Sequence, residues 1–312
     1  MQRFFTIWGI LWGLGLTWMP VVQAQQDAQY SLYMYNGMAL NPAFAGSREL
    51  ASLTALFREQ WVGFEGAPST QTLSFHTPFQ ERRMGAGVWL ANDRLGESRT
   101  FQLSLAYAYR LLLDEGELSF GVQGGFTQYR ADFGGVNSSF NPNIIDPAFN
   151  QNINEVLPNL GLGVYFQNNR VYAGFSIPQL FNNNLADEIS DARQSVHYFA
   201  TAGYLLNPQS RIQLTPSFML KYVQGAPLSF DLNALINFMD KVEAGVSYRI
   251  GDSIDCILAL PLMKNLKLAY AYDIPLNALG EYNNGSHELL LRFEFNWLGD
   301  GPNERIITPR HF

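Results

Sequence analysis

The sequence predicts an all-β protein, a closed transmembrane antiparallel β-barrel of about fourteen strands with both termini on the periplasmic side. Three observations predict it. Segments of about ten residues recur in which every second side chain is apolar. Beyond the N-terminal leader no stretch approaches the ~18 uninterrupted apolar residues of a spanning helix. Charged residues make up only 15% of the chain against 14% aromatic, whereas a soluble domain carries about a quarter charged residues. A wall facing hydrocarbon needs fewer.

The chain opens with one positive residue, Arg3, an apolar run from Phe4 to Met19, a break at Pro20, and Val22-Gln23-Ala24 at the usual cleavage spacing. That pattern predicts a signal peptide over 1–24 with cleavage after Ala24. No cysteine stands at the cleavage point, which disfavours a lipoprotein. The expected organisation is then a periplasmic N-terminal segment over 25–47, a barrel over 48–297 and a periplasmic tail over 298–312.

The strands follow from period-two alternation. In 101–110, Leu103, Leu105, Tyr107 and Tyr109 oppose Gln102, Ser104, Ala106 and Arg110. In 228–238, Phe230, Leu232, Ala234, Ile236 and Phe238 oppose Ser229, Asp231, Asn233 and Asn237. In 241–250, Val242, Ala244, Val246 and Tyr248 oppose Lys241, Glu243, Ser247 and Arg249. In 288–297, Leu289, Leu291, Phe293, Phe295 and Trp297 oppose Glu288, Arg292, Glu294 and Asn296. Such strands have one wet and one greasy face. Soluble sandwich strands average nearer five or six residues, while ten-residue strands match a tilted membrane crossing. Aromatic residues near strand ends, such as Tyr107, Tyr109, Tyr270, Tyr272 and Trp297, suit interfacial girdles.

The strands are read near 50–60, 70–77, 84–92, 100–110, 117–130, 158–167, 170–177, 195–206, 211–223, 227–237, 241–250, 253–260, 264–272 and 286–297. The tight connections after strands six, eight, ten and twelve fall on one face of such a barrel. The long ones, 131–157, 178–194 and 273–285, fall on the other. Outer-membrane barrels put short turns in the periplasm and long loops outside, which sets the expected orientation.

Segment 25–47 carries Tyr30, Tyr33, Tyr35, Phe44 and several Met and Leu residues, too apolar a set to hang free. It is expected to pack across the periplasmic mouth or into the lumen as a plug, or to offer a docking surface for secretion machinery; the residues singled out are Tyr30, Tyr33, Tyr35, Asn36, Asn41, Pro42 and Phe44. Asn41-Pro42 sets a turn, and Gly46 permits positive φ where the segment enters the wall. Arg110, Lys221, Asp231, Glu243, Arg249, Glu288, Arg292 and Glu294 all fall on the wet parity. They are read as a polar lumen network in which acids and bases neutralise one another, or as a constriction selecting a solute.

Catalytic signals are absent. There is no Gly-x-Ser-x-Gly elbow, His-Glu-x-x-His or Cys-x-x-Cys. Ser286 and His287 adjoin in sequence, but neighbours on a strand point to opposite faces. The single cysteine, Cys256, forms no disulfide within the chain and no ligand cluster. The net charge of −7 leaves no footprint for nucleic acid. No enzyme activity, cofactor or metal is expected.

Ordered motifs add a resemblance. Gln26, Asp27, Gln29, Tyr30 and Ser31 are followed by Tyr33-Met34-Tyr35-Asn36 and by Asn41-Pro42-Ala43-Phe44-Ala45-Gly46. Phe57-Arg58-Glu59-Gln60-Trp61 comes next, then Gly66-Ala67-Pro68-Ser69-Thr70, Gly85-Ala86-Gly87, Asn92-Asp93-Arg94-Leu95-Gly96, Tyr270-Ala271-Tyr272-Asp273 and Ser286-His287-Glu288. The set resembles the PorP/SprF family, outer-membrane barrels of the type IX secretion and gliding apparatus of Bacteroidetes. It departs from that pattern at Gly37-Met38, where a Pro-Leu-like pair is usual. The resemblance implies a non-catalytic scaffold in the outer membrane. Its implied partners are outer-membrane lipid, periplasmic secretion components and a secreted adhesin-like cargo with a C-terminal sorting domain. The periplasmic segment would serve the machinery, and the 131–157 and 178–194 loops the cargo. The alternative is a porin or solute channel, which fourteen strands can also enclose.

Overall fold

A computed structural model describes residues 29–79, 82–132, 152–184 and 193–296. The expected signal peptide, the 298–312 tail and Trp297 lie outside the described residues, as does most of the 131–157 loop. Fourteen strands close a barrel: β1 (Ala51–Glu59), β2 (Ser69–Phe79), β3 (Met84–Leu95), β4 (Ser98–Leu113), β5 (Gly116–Ala131), β6 (Ile153–Gln167), β7 (Val171–Gln179), β10 (His197–Tyr204), β11 (Ile212–Val223), β12 (Ser229–Phe238), β13 (Val242–Arg249), β14 (Ser253–Met263), β15 (Leu266–Pro275) and β16 (Ser286–Phe295). A two-stranded hairpin, β8 (Asn183–Asn184) with β9 (Arg193–Gln194), stands apart in the loop after β7. Each wall strand pairs antiparallel with its neighbours, and β1 pairs with β16 to close the seam, with Arg58 opposite Glu288. Closure gives each wall strand a neighbour on both sides, the condition the membrane interior sets on a sheet; above Leu162, β6 pairs with β5 alone.

The alternation sorts side chains as expected. On β16, Leu289, Leu291 and Phe293 face outward, while Glu288, Leu290 and Arg292 are buried inside. The strand count agrees with the sequence reading, but eight strands are longer than read. β4 and β5 each run 16 residues and β6 runs 15, so the wall stands tall on this side. Residues 153–157, read from their Asn-rich surroundings as loop, pair instead with 127–131. Ile153 and Leu157 pack there against Tyr129 and Ala131, burial that composition alone does not reveal.

The two rims differ. Turns 80–83, 114–115, 168–170, 205–211, 239–241 and 264–265 share one rim with the start of β1 and the end of β16. The other rim carries the long connections 60–68, 132–152, 180–196 and 276–285 and the shorter 96–97, 224–228 and 250–252. The wall therefore begins and ends at the short-turn rim, as an even strand number requires.

The N-terminal segment enters the lumen. Three single-turn 3-10 helices, Tyr33–Tyr35, Gly37–Ala39 and Pro42–Phe44, fold residues 33–44 into a compact rod. The third starts where the motif predicts: the Asn41 side-chain oxygen accepts the Ala43 N–H, and Pro42 fills the first helical position. Gly46 then turns the chain toward the wall at φ +69°. A single apolar core joins Leu32, Tyr33, Tyr35 and Leu40 of the rod to Leu56, Met219, Leu235, Ile257 and Leu290 of the wall. The inner face is thus not uniformly polar. It is apolar where the rod touches it, each fully buried large side chain contributing roughly 1.5–3 kcal/mol.

The rod runs the length of the lumen. Ser47 lies at the short-turn rim, where Gln167 at the end of β6 donates to its carbonyl. Gln29 lies at the other end, donating to Asp231 at 3.1 Å near the start of β12. The barrel wall has both its ends at one rim, but the described chain begins at the opposite one.

Candidate functional site: the plugged lumen

Near the long-loop rim a buried cluster holds the rod across the barrel seam. The Ser31 and Leu32 N–H groups donate to the two oxygens of Glu288, each at 2.9 Å. Arg58 reaches Glu288 at 2.8 Å and Asp273 at 2.6 Å, and donates to the Ser31 hydroxyl at 3.0 Å. Ser31 in turn donates to Asp273 at 2.8 Å. Arg58 belongs to the first wall strand, Asp273 and Glu288 to the last two, so the rod bridges the strands that close the barrel. Charges this deep persist only when paired and hydrogen-bonded. Here every charge has both.

Two further networks flank it. Arg249 pairs with Asp231 at 3.2 Å and with Asp252 at 3.3 Å, beneath Gln29. Toward the short-turn rim, Tyr35 donates to Glu243 at 2.8 Å, and Lys267 pairs with the same carboxylate at 2.6 Å. The Lys267 ammonium and the Arg292 guanidinium lie over the Tyr35 ring at 5.3 and 5.8 Å. Glu294 bonds Arg48 closely and lies 3.8 Å from Arg292.

Beyond Tyr35 the rod crosses to the opposite wall. Asn36 accepts from Ser74, and the Leu40 carbonyl from Ser176. Asn41 donates to the Val164 carbonyl at 3.0 Å while capping its own turn. The Phe44 ring packs edge-on against His76 and Tyr165, both at 5.4 Å. Here backbone lies directly on backbone. A Cβ added at Gly85 would stand 2.1 Å from the Ala45 oxygen, at Gly121 2.1 Å from the Ala43 nitrogen, and at Gly163 2.0 Å from the Asn41 side-chain oxygen. These glycines form a flat bed that larger residues would fill. Replacing Asn41 by alanine removes the cap and the wall contact together. It should lower the unfolding free energy by about 1–2 kcal/mol, read as a lower melting temperature in detergent.

All seven residues singled out in the N-terminal segment lie within the barrel, and all are buried in the structure. Tyr33 accepts from Asn233, and Tyr30 lines an open vestibule on the long-loop side with Trp89, Tyr129 and Phe199. The predicted lumen charges also face inward, but they form separate groups rather than one ring. Asp231 meets Arg249; Glu243, Arg292 and Glu294 gather around Tyr35 and Arg48; Arg110 stands apart with Glu117 at 3.4 Å and donates to the Arg82 carbonyl. Lys221 is buried on β11 opposite Ser229. The sequence reading missed the seam cluster as a unit, because Ser31, Arg58, Asp273 and Glu288 come from four distant segments. One signal for the glycine bed was available: Gly85 and Gly87, like Gly161 and Gly163, repeat at inward parity.

These features define a class: a closed outer-membrane-type β-barrel whose lumen is filled by its own N-terminal segment. The chain belongs to the family described as type IX secretion system membrane protein PorP/SprF, whose profile matches residues 22–293. No curated protein sequence shows significant similarity. Among solved structures, the toluene transporter TbuX of Ralstonia pickettii is 10% identical, with a TM-score of 0.52 over 90% of this chain and 98% of that one. The CymD monoaromatic hydrocarbon channel is 12% identical, with a TM-score of 0.49 over 84% and 93%. A Pseudomonas aeruginosa FadL homologue is 14% identical, with a TM-score of 0.48 over 85% and 94%. At 10% identity the likeness to TbuX is one of fold alone.

Proposed function

We propose that this outer-membrane component of type IX secretion acts as a non-catalytic scaffold. Its short-turn rim faces the periplasm and its long loops face outward. It anchors a secreted adhesin-like cargo, through that cargo's C-terminal sorting domain, at the cell surface, or links periplasmic secretion components to the outer membrane. The observation that carries this reading is the filled lumen. Residues 29–47 occupy the barrel from rim to rim, with paired charges and apolar packing on both walls. A diffusional porin needs an aqueous path and a hydrocarbon channel an apolar one, whereas a scaffold needs neither. Among the described residues, no group of three or more His, Cys, Asp or Glu could hold a metal ion.

Two measurements test it. In planar bilayers the purified protein should show no steady ohmic conductance. In native outer membranes the tagged protein should recover periplasmic secretion components or a large secreted protein bound through its C-terminal domain. Steady conductance by the unmodified protein, with no stoichiometric partner, would replace the scaffold by the porin reading.

A further inference from the structure

We propose that three arginines on the outer face of the wall, at the long-loop rim, bind the phosphate of an anionic lipid headgroup. Arg94 of β3, Arg99 of β4 and Arg130 of β5 form one row across the sheet, Arg94 opposite Arg99 and Arg99 opposite Arg130. Side chains so placed have Cβ atoms only about 5 Å apart, and like charges there destabilise a sheet. All three are exposed, and among the described residues none forms an ion pair with a carboxylate. Asp93 and Glu155, acidic residues on the neighbouring stretches of β3 and β6, fall on the lumen parity. The row is braced at one end. Asn154 of β6, opposite Arg130, accepts from Arg130 Nε at 3.3 Å and from Gln128 at 2.9 Å. The terminal nitrogens of Arg130 and the guanidinium groups of Arg94 and Arg99 are left for a ligand. Such forks match phosphate oxygens in both charge and geometry.

Depth decides what that ligand is. On β4 the outward-facing side chains Leu111, Tyr109, Tyr107, Leu105, Leu103 and Phe101 form an unbroken apolar file. Those ~10 residues rise ~34 Å along the strand. At the ~40° tilt usual for such barrels this is ~26 Å along the membrane normal, against an apolar band of ~25 Å. Arg99 is the next outward position beyond Phe101. It therefore stands at headgroup level, with Arg94 and Arg130 beside it. Just below the row the Phe101 and Phe126 rings pack 6.2 Å apart, where an acyl chain would begin. The arginines share the face of Leu105, which is turned to hydrocarbon, so the row looks sideways into the bilayer. A cationic row at this depth and heading meets anionic lipid rather than a soluble protein. The argument holds whichever leaflet the rim faces, so it is independent of the scaffold reading.

The full-length protein is reconstituted into phosphatidylcholine nanodiscs with and without phosphatidylglycerol. Melting is followed in each, and the lipids retained on extraction are identified by native mass spectrometry. The parent should retain phosphatidylglycerol in preference to phosphatidylcholine and melt higher when it is present. The triple variant Arg94→Gln, Arg99→Gln, Arg130→Gln should lose both effects. In phosphatidylcholine alone it should melt no lower than the parent, because the like-charge row is gone, and this separates a lost site from a misfolded barrel. The single variant Arg99→Gln, at the centre of the row, should weaken the preference with less change to the wall. The comparison is Arg211→Gln, Lys241→Gln, Lys264→Gln, which removes the same charge from exposed positions at the short-turn rim and should keep the preference. A parent without preference overturns the proposal, as does a preference that survives in the triple arginine variant. Loss of preference in the comparison variant as well would also overturn it, since net charge would then govern lipid choice.

Discussion

Replacing Glu288 by glutamine is expected to free the long-loop end of the rod. The Glu288 carboxylate takes two backbone N–H groups and a guanidinium. A glutamine offers one oxygen and turns an NH₂ group toward the remaining donors. Arg58 would keep only Asp273 as its charged partner in a fully buried setting. Breaking a buried pair of this kind costs about 3–5 kcal/mol. Because Glu288 sits opposite Arg58 at the closing seam, the loss should also weaken closure itself. The variant should melt well below the parent and show bursts of bilayer conductance as the rod shifts. Glu49→Gln is the control, since its side chain is 40% exposed at the short-turn rim and its 3.7 Å pair with Arg82 contributes about 1 kcal/mol or less. Equal melting of Glu288→Gln and the parent would mean that the seam cluster does not hold the rod.

Gly121→Val should have the opposite character, displacing the rod while sparing the wall. Valine suits a strand, so the pairing of β5 with β4 and β6 has no reason to fail. Its Cβ alone would lie 2.1 Å from the Ala43 nitrogen and 2.4 Å from the Ala43 Cα, distances no packed structure tolerates. The Pro42–Phe44 turn must lift from its bed, taking the Phe44 ring out from between His76 and Tyr165. The expected outcome is an assembled barrel with steady conductance where the parent has none, and stability lowered by at least the ~1–3 kcal/mol typical of overpacking. Gly124→Val on the same strand is the comparison. Its Cβ would meet only the Leu160 side chain at 3.5 Å, so it should stay closed. A closed, fully stable Gly121→Val barrel would show that the rod is not seated by the glycine bed.

Much of the wall was legible because a strand in lipid has only two faces. Alternation at Leu289, Leu291 and Phe293 against Glu288 and Arg292 states which side chains face hydrocarbon, and the strand count follows from repeating that reading. Strand ends were less legible. Residues 153–157 look like loop until Ile153 and Leu157 find Tyr129 across the sheet. The site was legible residue by residue but not as an assembly. Tyr33, Tyr35, Asn41 and Phe44 were identifiable as a segment too apolar to stay free, and the lumen charges by parity. Which charge meets which depends on register around a closed circle, and one sequence does not encode register between strands far apart in the chain.

The sequence by itself determined the alternating wall, its even strand number, the unequal rims and the turn at Asn41-Pro42. Each arises from interactions within a strand or between close neighbours, where local pattern and physics coincide. Only the tertiary structure decided that the N-terminal rod crosses the lumen, that Ser31, Arg58, Asp273 and Glu288 meet at the seam, and that Gly85, Gly121 and Gly163 form its bed. The reason is closure. Bringing β1 to β16 joins residues more than two hundred positions apart, and the space this encloses has a shape and a charge pattern that no local segment carries.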